Sequence, residues 1–233
     1  MSIASYQQRR NEIETYFDRT AMAAWATLTS TAPVGKIRAT VRAGRDNMRN
    51  TLLSWLPADM SGMRLLDAGC GTGALALQAA ARGADVVAID LSPQLISIAA
   101  ERAATASHAT KITFHAGDML DKNYGRFDYA VMMDSIIHYN EDDAINALAQ
   151  LAGRVDSAIL FTFAPRTALL GTMLSVGKIM PRGDRSPAII PQSETRLRRE
   201  IALRPAFARF NVGRTSRITS GFYFSQAMEI TSC

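Results

Sequence analysis

The amino-acid sequence predicts an α/β fold with a doubly wound parallel sheet at its centre. From Arg64 onward, short apolar runs alternate with longer helical segments. This alternation is typical of right-handed βαβ units whose sheet is covered on both faces. A chain of 233 residues, 48% of them hydrophobic, is long enough for one domain with a sizeable core. Dominant disorder and a repeat architecture are therefore excluded.

The residues ahead of this sheet predict a helical arm over residues 1–58. A first apolar stripe with helical period consists of Ile13, Tyr16, Phe17, Ala21, Trp25 and Leu28. A second stripe runs from Ile37 to Trp55 and stops at Pro57. Its helix carries one row of cations, namely Arg38, Arg42, Arg45 and Arg49. Such a row is typical of a solvated face, but it also fits a docking face for an anionic group.

We predict that residues 59–233 form the sheet domain. In order, its predicted elements are RLLDAG (64–69), a helix over 75–82, DVVAID (85–90), a helix over 93–104, KITFHAGD (111–118), FDYAVMMD (127–134), a helix over 142–152 and SAILFTF (157–163). An additional segment at about 165–205 includes a helix over 168–179 and a basic helix over 193–203. Strand-like runs over 207–219 and 222–231 flank Ser220 and Gly221, so we expect an antiparallel hairpin at the sheet edge.

Charge and cysteine content restrict the class of ligand and the location. Residues 1–64 carry a net charge of +4, residues 65–163 of −6 and residues 164–233 of +7. This pattern favours a cationic ligand in the centre and an anionic group or surface at the flanks. Two cysteines are too few for a disulfide framework. We predict a cytoplasmic chain without a signal peptide or spanning helix, and a peripheral contact with a membrane stays open.

The segment LLDAGCGTG (65–73) predicts the binding site of a ligand. It leads from a strand into a helix through Gly69, Gly71 and Gly73. Glycines permit positive φ and close approach of a ligand, and the helix N-terminus offers free N–H groups. Dinucleotide-binding enzymes use similar turns, so the turn alone leaves a nicotinamide enzyme open, as well as a related domain that has lost its ligand.

Three carboxylates give the turn a more specific context. Asp67 precedes the first glycine, Asp90 ends the second strand and Asp118 ends the third. The carboxyl ends of parallel strands share one edge of the sheet, so all three are expected in one crevice. There Asp90 is placed to accept both hydrogen bonds of a ribose diol. Asp118 is placed to accept from an adenine amino group.

This order of glycines and acids resembles the class I S-adenosylmethionine-dependent methyltransferases. The resemblance implies a Rossmann-like sheet and S-adenosylmethionine as methyl donor. It also implies that the methionine end is held by Asp67 and by the turn from Gly69 through Cys70 and Gly71 to Gly73. The ribose is expected at Asp90 and Leu91, the adenine at Asp118 and Met119, and Asp134 completes the predicted cofactor set. For Cys70 a packing role is favoured over a nucleophilic one.

The fourth strand indicates the class of methyl acceptor. It ends in MMDSIIHY (132–139), not in the D/N-P-P-Y/F motif of enzymes that methylate nucleic acid bases, so no nucleic acid partner is expected. The three histidines have no metal-ligand spacing, so no protein-bound metal is expected either. With YFDRTAMAAW (16–25), FTFAPRT (161–167) and SGFYFSQAMEI (220–230), the chain resembles the magnesium-protoporphyrin IX O-methyltransferases of chlorophyll and bacteriochlorophyll biosynthesis over nearly its full length.

That second resemblance implies methyl transfer to one propionate of magnesium-protoporphyrin IX, whose magnesium belongs to the substrate. Tyr16 and His138 are the implied catalytic residues, Trp25 and Tyr139 join them in binding substrate, and the arm is expected to act as a lid. The family also implies a contact with the large porphyrin-binding subunit of magnesium chelatase, and the peripheral membrane contact would be with the photosynthetic inner membrane. Two alternatives stay open: an O-methyltransferase for another acid or phenol, and a non-catalytic porphyrin carrier of the same fold.

Overall fold

A computed structural model describes residues 3–30, 32–167 and 188–233. Within these residues seven strands form one sheet in the order β3-β2-β1-β4-β5-β7-β6. The strands are β1 (Arg64–Ala68), β2 (Asp85–Asp90), β3 (Ile112–Ala116), β4 (Phe127–Met132), β5 (Val155–Phe163), β6 (Phe210–Ser220) and β7 (Tyr223–Ser232). The first five strands pair in parallel, while β7 pairs antiparallel with β5 and with β6. The predicted doubly wound sheet and its antiparallel C-terminal hairpin are confirmed.

The strand order determines where a ligand can bind. From β1 the chain proceeds outward to β2 and β3, then returns to the other side of β1 with β4 and β5. Between β1 and β4 the connections leave in opposite directions, and the carboxyl ends of the strands border a crevice. The glycine turn after β1 lies at this switch point.

Helices flank the sheet and cover its switch point. They are α1 (Ile3–Thr15), α2 (Met22–Leu28), α3 (Lys36–Ser54), α4 (Ala74–Ala81), α5 (Pro93–Ala103), α6 (Glu141–Ala152) and α7 (Glu194–Leu203). Local signals explain several of their starts. Ser92 caps α5 by accepting a hydrogen bond from the Leu95 N–H, and Pro93 follows it as the first helical residue. Asn140 caps α6 by accepting one from the Asp143 N–H. Both are common arrangements at the start of a helix.

Two apolar clusters hold the layers together, one on each face of the sheet. On one face, Met48 and Leu52 of α3 pack with Leu75 of α4 and strand residues. On the other face, Leu148 of α6 and Leu197 of α7 pack with a second set of strand residues. Every one of these side chains is buried. Burial of that kind contributes roughly 1.5–3 kcal/mol per large aliphatic side chain, so α3 is an integral layer of the fold.

The structure differs from the sequence prediction at three places. The first predicted helix is interrupted by a π-helical turn over Tyr16–Ala21. The strand predicted from residue 207 begins at Phe210, because Pro205–Phe207 form a 3-10 turn. The hairpin turn falls at Gly221, whose φ is 57°, and at the following residue, one position later than predicted. The helix predicted over 168–179 lies outside the described residues.

Candidate active site

A cavity of about 350 Å³ lies at the carboxyl ends of the strands. One side is formed by the glycine turn and by the residues after β2 and β3, and the other by α1, the π-helical turn, α3 and the start of β7. The cavity therefore has two parts. One is the predicted cofactor crevice, and the other is an adjoining chamber whose walls come from both ends of the chain.

The glycine turn after β1 has the conformation that its sequence predicts. Gly69 and Gly71 have φ of 84° and 54°, in the left-handed region. A Cβ on Gly69 would come within 2.4 Å of the Ser135 Cβ, and one on Gly71 within 3.2 Å of the Trp25 indole nitrogen. Only glycine leaves these approaches open. Gly73 borders neither this cavity nor the second one described below, and caps α4 instead.

Asp67 and Arg49 border a second cavity, of about 680 Å³, on the α4 side of the turn. Asp67 is buried, and within the described residues its Oδ2 has no hydrogen-bond partner. Burial, and to a smaller extent Asp90, raises the pKa of Asp67 to about 7. The Nε of Arg49 is likewise buried without a partner in the described chain. Buried polar atoms without partners are costly, so one carboxylate oxygen and one guanidinium N–H here are available to a ligand, while another nitrogen of Arg49 is paired with Asp46.

Cys70 borders the same cavity. Burial, followed by the neighbouring Asp67 and Asp90, raises the pKa of its thiol well above the usual value. A thiol needs its thiolate form to act as a nucleophile. The packing role favoured for Cys70 is therefore the one that the surroundings support.

The other predicted cofactor residues line the first cavity. Asp90 accepts from the Gly71 N–H at 2.8 Å and from the Ser92 N–H at 3.0 Å, so it supports the turn, and burial raises its pKa. Leu91, Asp118 and Met119 lie on the same wall. The Asp118 carboxylate already accepts from the Tyr6 hydroxyl at 2.9 Å and from Arg10 at 3.2 Å, which ties α1 to the crevice.

The predicted catalytic and substrate-binding residues meet in the first cavity as well. Tyr16, Trp25, His138 and Tyr139 all line it. Phe17 joins several of them, with its ring centroid 5.2 Å from Tyr16, 5.4 Å from Trp25 and 6.2 Å from His138. His138 is buried, with its Nδ1 3.4 Å from a backbone carbonyl oxygen. Tyr139 is buried and stacks on Tyr6 at 5.0 Å.

Asp134 lines the first cavity with most of the other predicted cofactor residues, and its carboxylate is paired with protein groups. Its φ of 55° places a non-glycine residue in the left-handed region, which aspartate tolerates better than most residues. Its carboxylate accepts from Arg45 at 2.5 Å and from the hydroxyls of Thr162, Tyr223 and Ser225 at 3.0 to 3.1 Å. This arrangement supports a structural role for Asp134, which joins α3, β5 and β7 below the chamber.

The arginine row on α3 is not a uniform solvated face. Arg42 donates to the carbonyl oxygens of Thr27, Leu28 and Ala32 and so clamps the end of α2. Arg45 is 18% exposed and lies over the Trp25 ring at 4.5 Å. The helical period of the sequence indicates that these arginines share one face of α3. It does not indicate that α2 and the cavity lie against that face.

Several site residues were missed by the sequence analysis. They are Tyr6, Phe222, Tyr223 and Ser225. One signal was available for Tyr6, because Tyr6 and Ile13 are seven residues apart and share a helix face. For the β7 residues the signal is weaker, since alternation indicates a shared face of a strand but not what lies against it.

No group of three His, Cys, Asp or Glu side chains in ranges 3–30, 32–167 and 188–233 could hold a metal ion. In the same ranges, no helix combines the length and the apolar character that crossing a membrane requires.

Comparison with known proteins places this site in a family. Residues 132–232 match the family model described as magnesium-protoporphyrin IX methyltransferase C-terminus, and residues 65–156 match a general methyltransferase domain. A magnesium-protoporphyrin O-methyltransferase from Rhodobacter capsulatus is 47% identical over 97% of this chain and 98% of its own. One from Synechocystis is 26% identical over 93% and 94%.

The solved structures agree with the sequence relatives. The crystal structure of magnesium protoporphyrin IX methyltransferase from Synechocystis PCC 6803 with bound SAH superposes with a TM-score of 0.84 at 24% identity, covering 96% of this chain and 100% of that one. This likeness supports the fold, and the long alignment with the Rhodobacter relative supports the kinship. From these matches we conclude that the chain belongs to the magnesium-protoporphyrin O-methyltransferase family.

Proposed function

We propose that the chain transfers a methyl group from S-adenosylmethionine to a propionate carboxylate of magnesium-protoporphyrin IX, giving the monomethyl ester. The main support for this proposal is the shape of the first cavity. In it the cofactor crevice opens directly into a chamber with apolar and aromatic walls. A porphyrin presents apolar faces and a carboxylate edge, which such a chamber with a few polar groups suits.

The cofactor pocket fits S-adenosylmethionine on the evidence of its unpaired groups. The methionine end of this molecule carries one ammonium and one carboxylate. Asp67 Oδ2 and Arg49 Nε are buried atoms without hydrogen-bond partners in the described residues, and both residues border one cavity. We assign the ammonium to Asp67 and the carboxylate to Arg49. Asp90 retains free lone pairs for the ribose hydroxyls.

The chemistry requires little of the protein in acid–base terms. When bound, S-adenosylmethionine supplies an electrophilic methyl group; the carboxylate oxygen forms a bond to its carbon while the carbon–sulfur bond breaks and the electron pair stays on sulfur. A propionate is ionised at neutral pH and needs no general base. The chain contributes by removing water and aligning the carboxylate with the methyl carbon at about 3–3.5 Å.

Tyr16 and His138 are the residues proposed to align that carboxylate. Each carries a group able to donate a hydrogen bond, and both line the chamber. Trp25 closes the side nearest the glycine turn, and Tyr139 forms the buried floor with Tyr6. The substrate roles of these four residues thus rest on shared location in the cavity.

We also propose that residues 3–30, the first part of the predicted arm over residues 1–58, act as a lid on the sheet domain of residues 59–233, while α3 stays packed on the sheet. Tyr6 and Ile13 of this part are buried on the core, and several of its other contacts at the crevice are polar. Tyr6 donates to Asp118, Asp18 accepts from the Ser92 hydroxyl at 3.1 Å, and Arg102 donates to a carbonyl of α2 at 2.9 Å. Exposed and half-buried hydrogen bonds contribute only about 0.5–1.5 kcal/mol each, so these contacts can open to admit ligands.

A working contact with the large porphyrin-binding subunit of magnesium chelatase, and a peripheral place on the photosynthetic inner membrane, complete the proposal. Both are supported by the basic flanks, with net charges of +4 and +7, since basic surfaces attract anionic partners and lipids. Co-purification with that subunit and sedimentation with anionic vesicles, each at low and high salt, test the two contacts separately.

Turnover by the purified protein tests the main proposal. Magnesium-protoporphyrin IX is incubated with S-adenosylmethionine and the ester is detected by mass, beside a panel of phenols and simpler carboxylic acids. We expect ester from the porphyrin alone. Preferred turnover of a phenol would favour the other O-methyltransferase reading, and porphyrin binding without ester would favour the carrier.

A further inference from the structure

Arg38 differs from the other three cations of the α3 row. Arg42 is bound to carbonyl oxygens, Arg45 to Asp134 and Arg49 to Asp46. Arg38 lines the first cavity, and the described residues provide it with no hydrogen bond or ion pair. It is exposed and lies two helical turns, about 10 Å at 1.5 Å per residue, from the buried Arg45.

The mouth of the chamber around Arg38 is apolar. Phe222 lines the cavity and is 59% exposed. Ile37, the residue before Arg38, is 60% exposed. The hairpin turn that carries Phe222 is fixed against α3, because the Ser220 hydroxyl donates to the Thr40 carbonyl at 2.8 Å. A guanidinium without a partner in the described residues and an exposed aromatic ring thus both line the chamber.

These features match one part of the substrate. Protoporphyrin carries two propionates on neighbouring pyrrole rings along one edge, and the reacting one must reach the depth of the chamber. The second must then lie nearer the mouth, together with the apolar macrocycle. A guanidinium pairs well with a carboxylate and also stacks on flat conjugated rings.

We propose that Arg38 binds the non-reacting propionate and that Phe222 packs against the macrocycle, so that Arg38 determines specificity for a dicarboxylic porphyrin. This inference rests on the proposed function. Arg38 is a binding residue here and takes no part in methyl transfer itself.

The test compares two enzymes with two substrates. Wild type and Arg38→Gln are assayed with magnesium-protoporphyrin IX and with the monoester in which the propionate that wild type leaves free is already blocked. We expect blocking to lower kcat/KM of wild type about tenfold, and Arg38→Gln to lower it about tenfold on the parent substrate with no further loss on the monoester. The wild-type loss should shrink as salt rises.

Lys36→Gln is the matched control, since it removes an equal charge from the same helix outside the cavity lining. We expect wild-type kinetics from it, and partial recovery in Arg38→Lys. Unchanged cofactor affinity in every variant shows that the proteins are folded. A variant Arg38→Gln that keeps the parent kcat/KM, or that still loses tenfold on the monoester, overturns the assignment. If wild type does not methylate the porphyrin at all, the proposed function itself fails.

Discussion

Three carboxylates of the site differ in the hydrogen-bond donors that surround them. Asp134 accepts from Arg45, Tyr223 and two further hydroxyls and stabilises the packing of α3 and β7. Asp90 accepts from two backbone N–H groups and has capacity for a ligand. Asp67 retains one buried oxygen without a partner in the described residues. We therefore propose that the incompletely paired acids bind ligand and that the fully paired Asp134 is structural.

Replacing Asp90 by alanine should weaken S-adenosylmethionine binding by about 2–3 kcal/mol, because a charged acceptor of two hydrogen bonds is lost and the turn at Gly71 loses support. Calorimetric titration measures the change. Asp85→Ala is the control, since Asp85 starts the same strand but is exposed and paired with Lys111. Equal affinities of the Asp90 variant and wild type would contradict the assignment.

Cofactor affinity should rise with pH between about 5.5 and 7. Burial raises the pKa of Asp67 to about 7, so the carboxyl of the free protein is largely protonated below that value, whereas a bound ammonium favours the ionised form. The same shift makes the native state hold a proton that the unfolded state releases. The stability contribution of Asp67 therefore falls as pH rises from about 4 to 7.

Titration calorimetry of wild type and Asp67→Asn at several pH values checks this dependence. The asparagine variant should bind more weakly and with a flatter profile in that interval. The same slope in both proteins would assign the titration to another group, Asp90 being the nearest candidate because its pKa is also raised by burial.

Tyr16→Phe and His138→Ala should each lower turnover about 10- to 100-fold with cofactor affinity nearly unchanged, because both residues orient an already ionised carboxylate. Single-turnover kinetics at saturating substrate measure the effect. Complete inactivity of His138→Ala, with cofactor binding retained, would instead indicate an obligatory base or an essential contact with the porphyrin magnesium.

At the scale of elements, α3 connects the lid to the sheet. One face is buried on the sheet through Met48 and Leu52, and Arg42 on another face holds the end of α2. Arg42→Gln should lower the free energy of unfolding by about 1–2 kcal/mol, since several hydrogen bonds to a charged donor are lost. A solvated arginine would contribute less than about 1 kcal/mol.

Denaturant unfolding of Arg42→Gln beside Arg199→Gln decides between these values. Arg199 is exposed on α7 and contacts only its neighbour Glu200 among the described ion pairs. If both variants are as stable as wild type, Arg42 contributes no more to stability than an exposed surface arginine does.

The sequence predicts the helices and strands better than it predicts the contacts between them. Strand ends, helix starts and the glycine turn follow from local chemistry, which is why β1 through β5 and the turn at Gly69 match their predictions. The π-helical turn at Tyr16–Ala21 has no such local signal. The Tyr6–Asp118 contact joins residues 112 positions apart, and periodicity carries no information at that range.

At the scale of the whole molecule, the lid and the sheet should respond differently to ligand. Within the described side chains of α1, Tyr6 and Ile13 are buried, whereas most residues of β1, β4 and β5 are buried. We expect SAH to slow amide hydrogen exchange in residues 3–30 more than in β1–β5, because the lid starts from the lower local stability. Exchange measured by mass spectrometry tests this. Protection confined to the glycine turn and β2 would contradict a lid.

The pairing of Asp134 with β7 also bears on how the protein is made. A ribosome releases the glycine turn and Asp90 early, but Tyr223 and Ser225, which donate to Asp134, emerge some ninety positions after it. The wall of the chamber that Tyr223 and Ser225 form is therefore completed only late in translation. A chain that stops before β7 would lack that wall and would leave the Asp134 carboxylate without two of its hydroxyl donors.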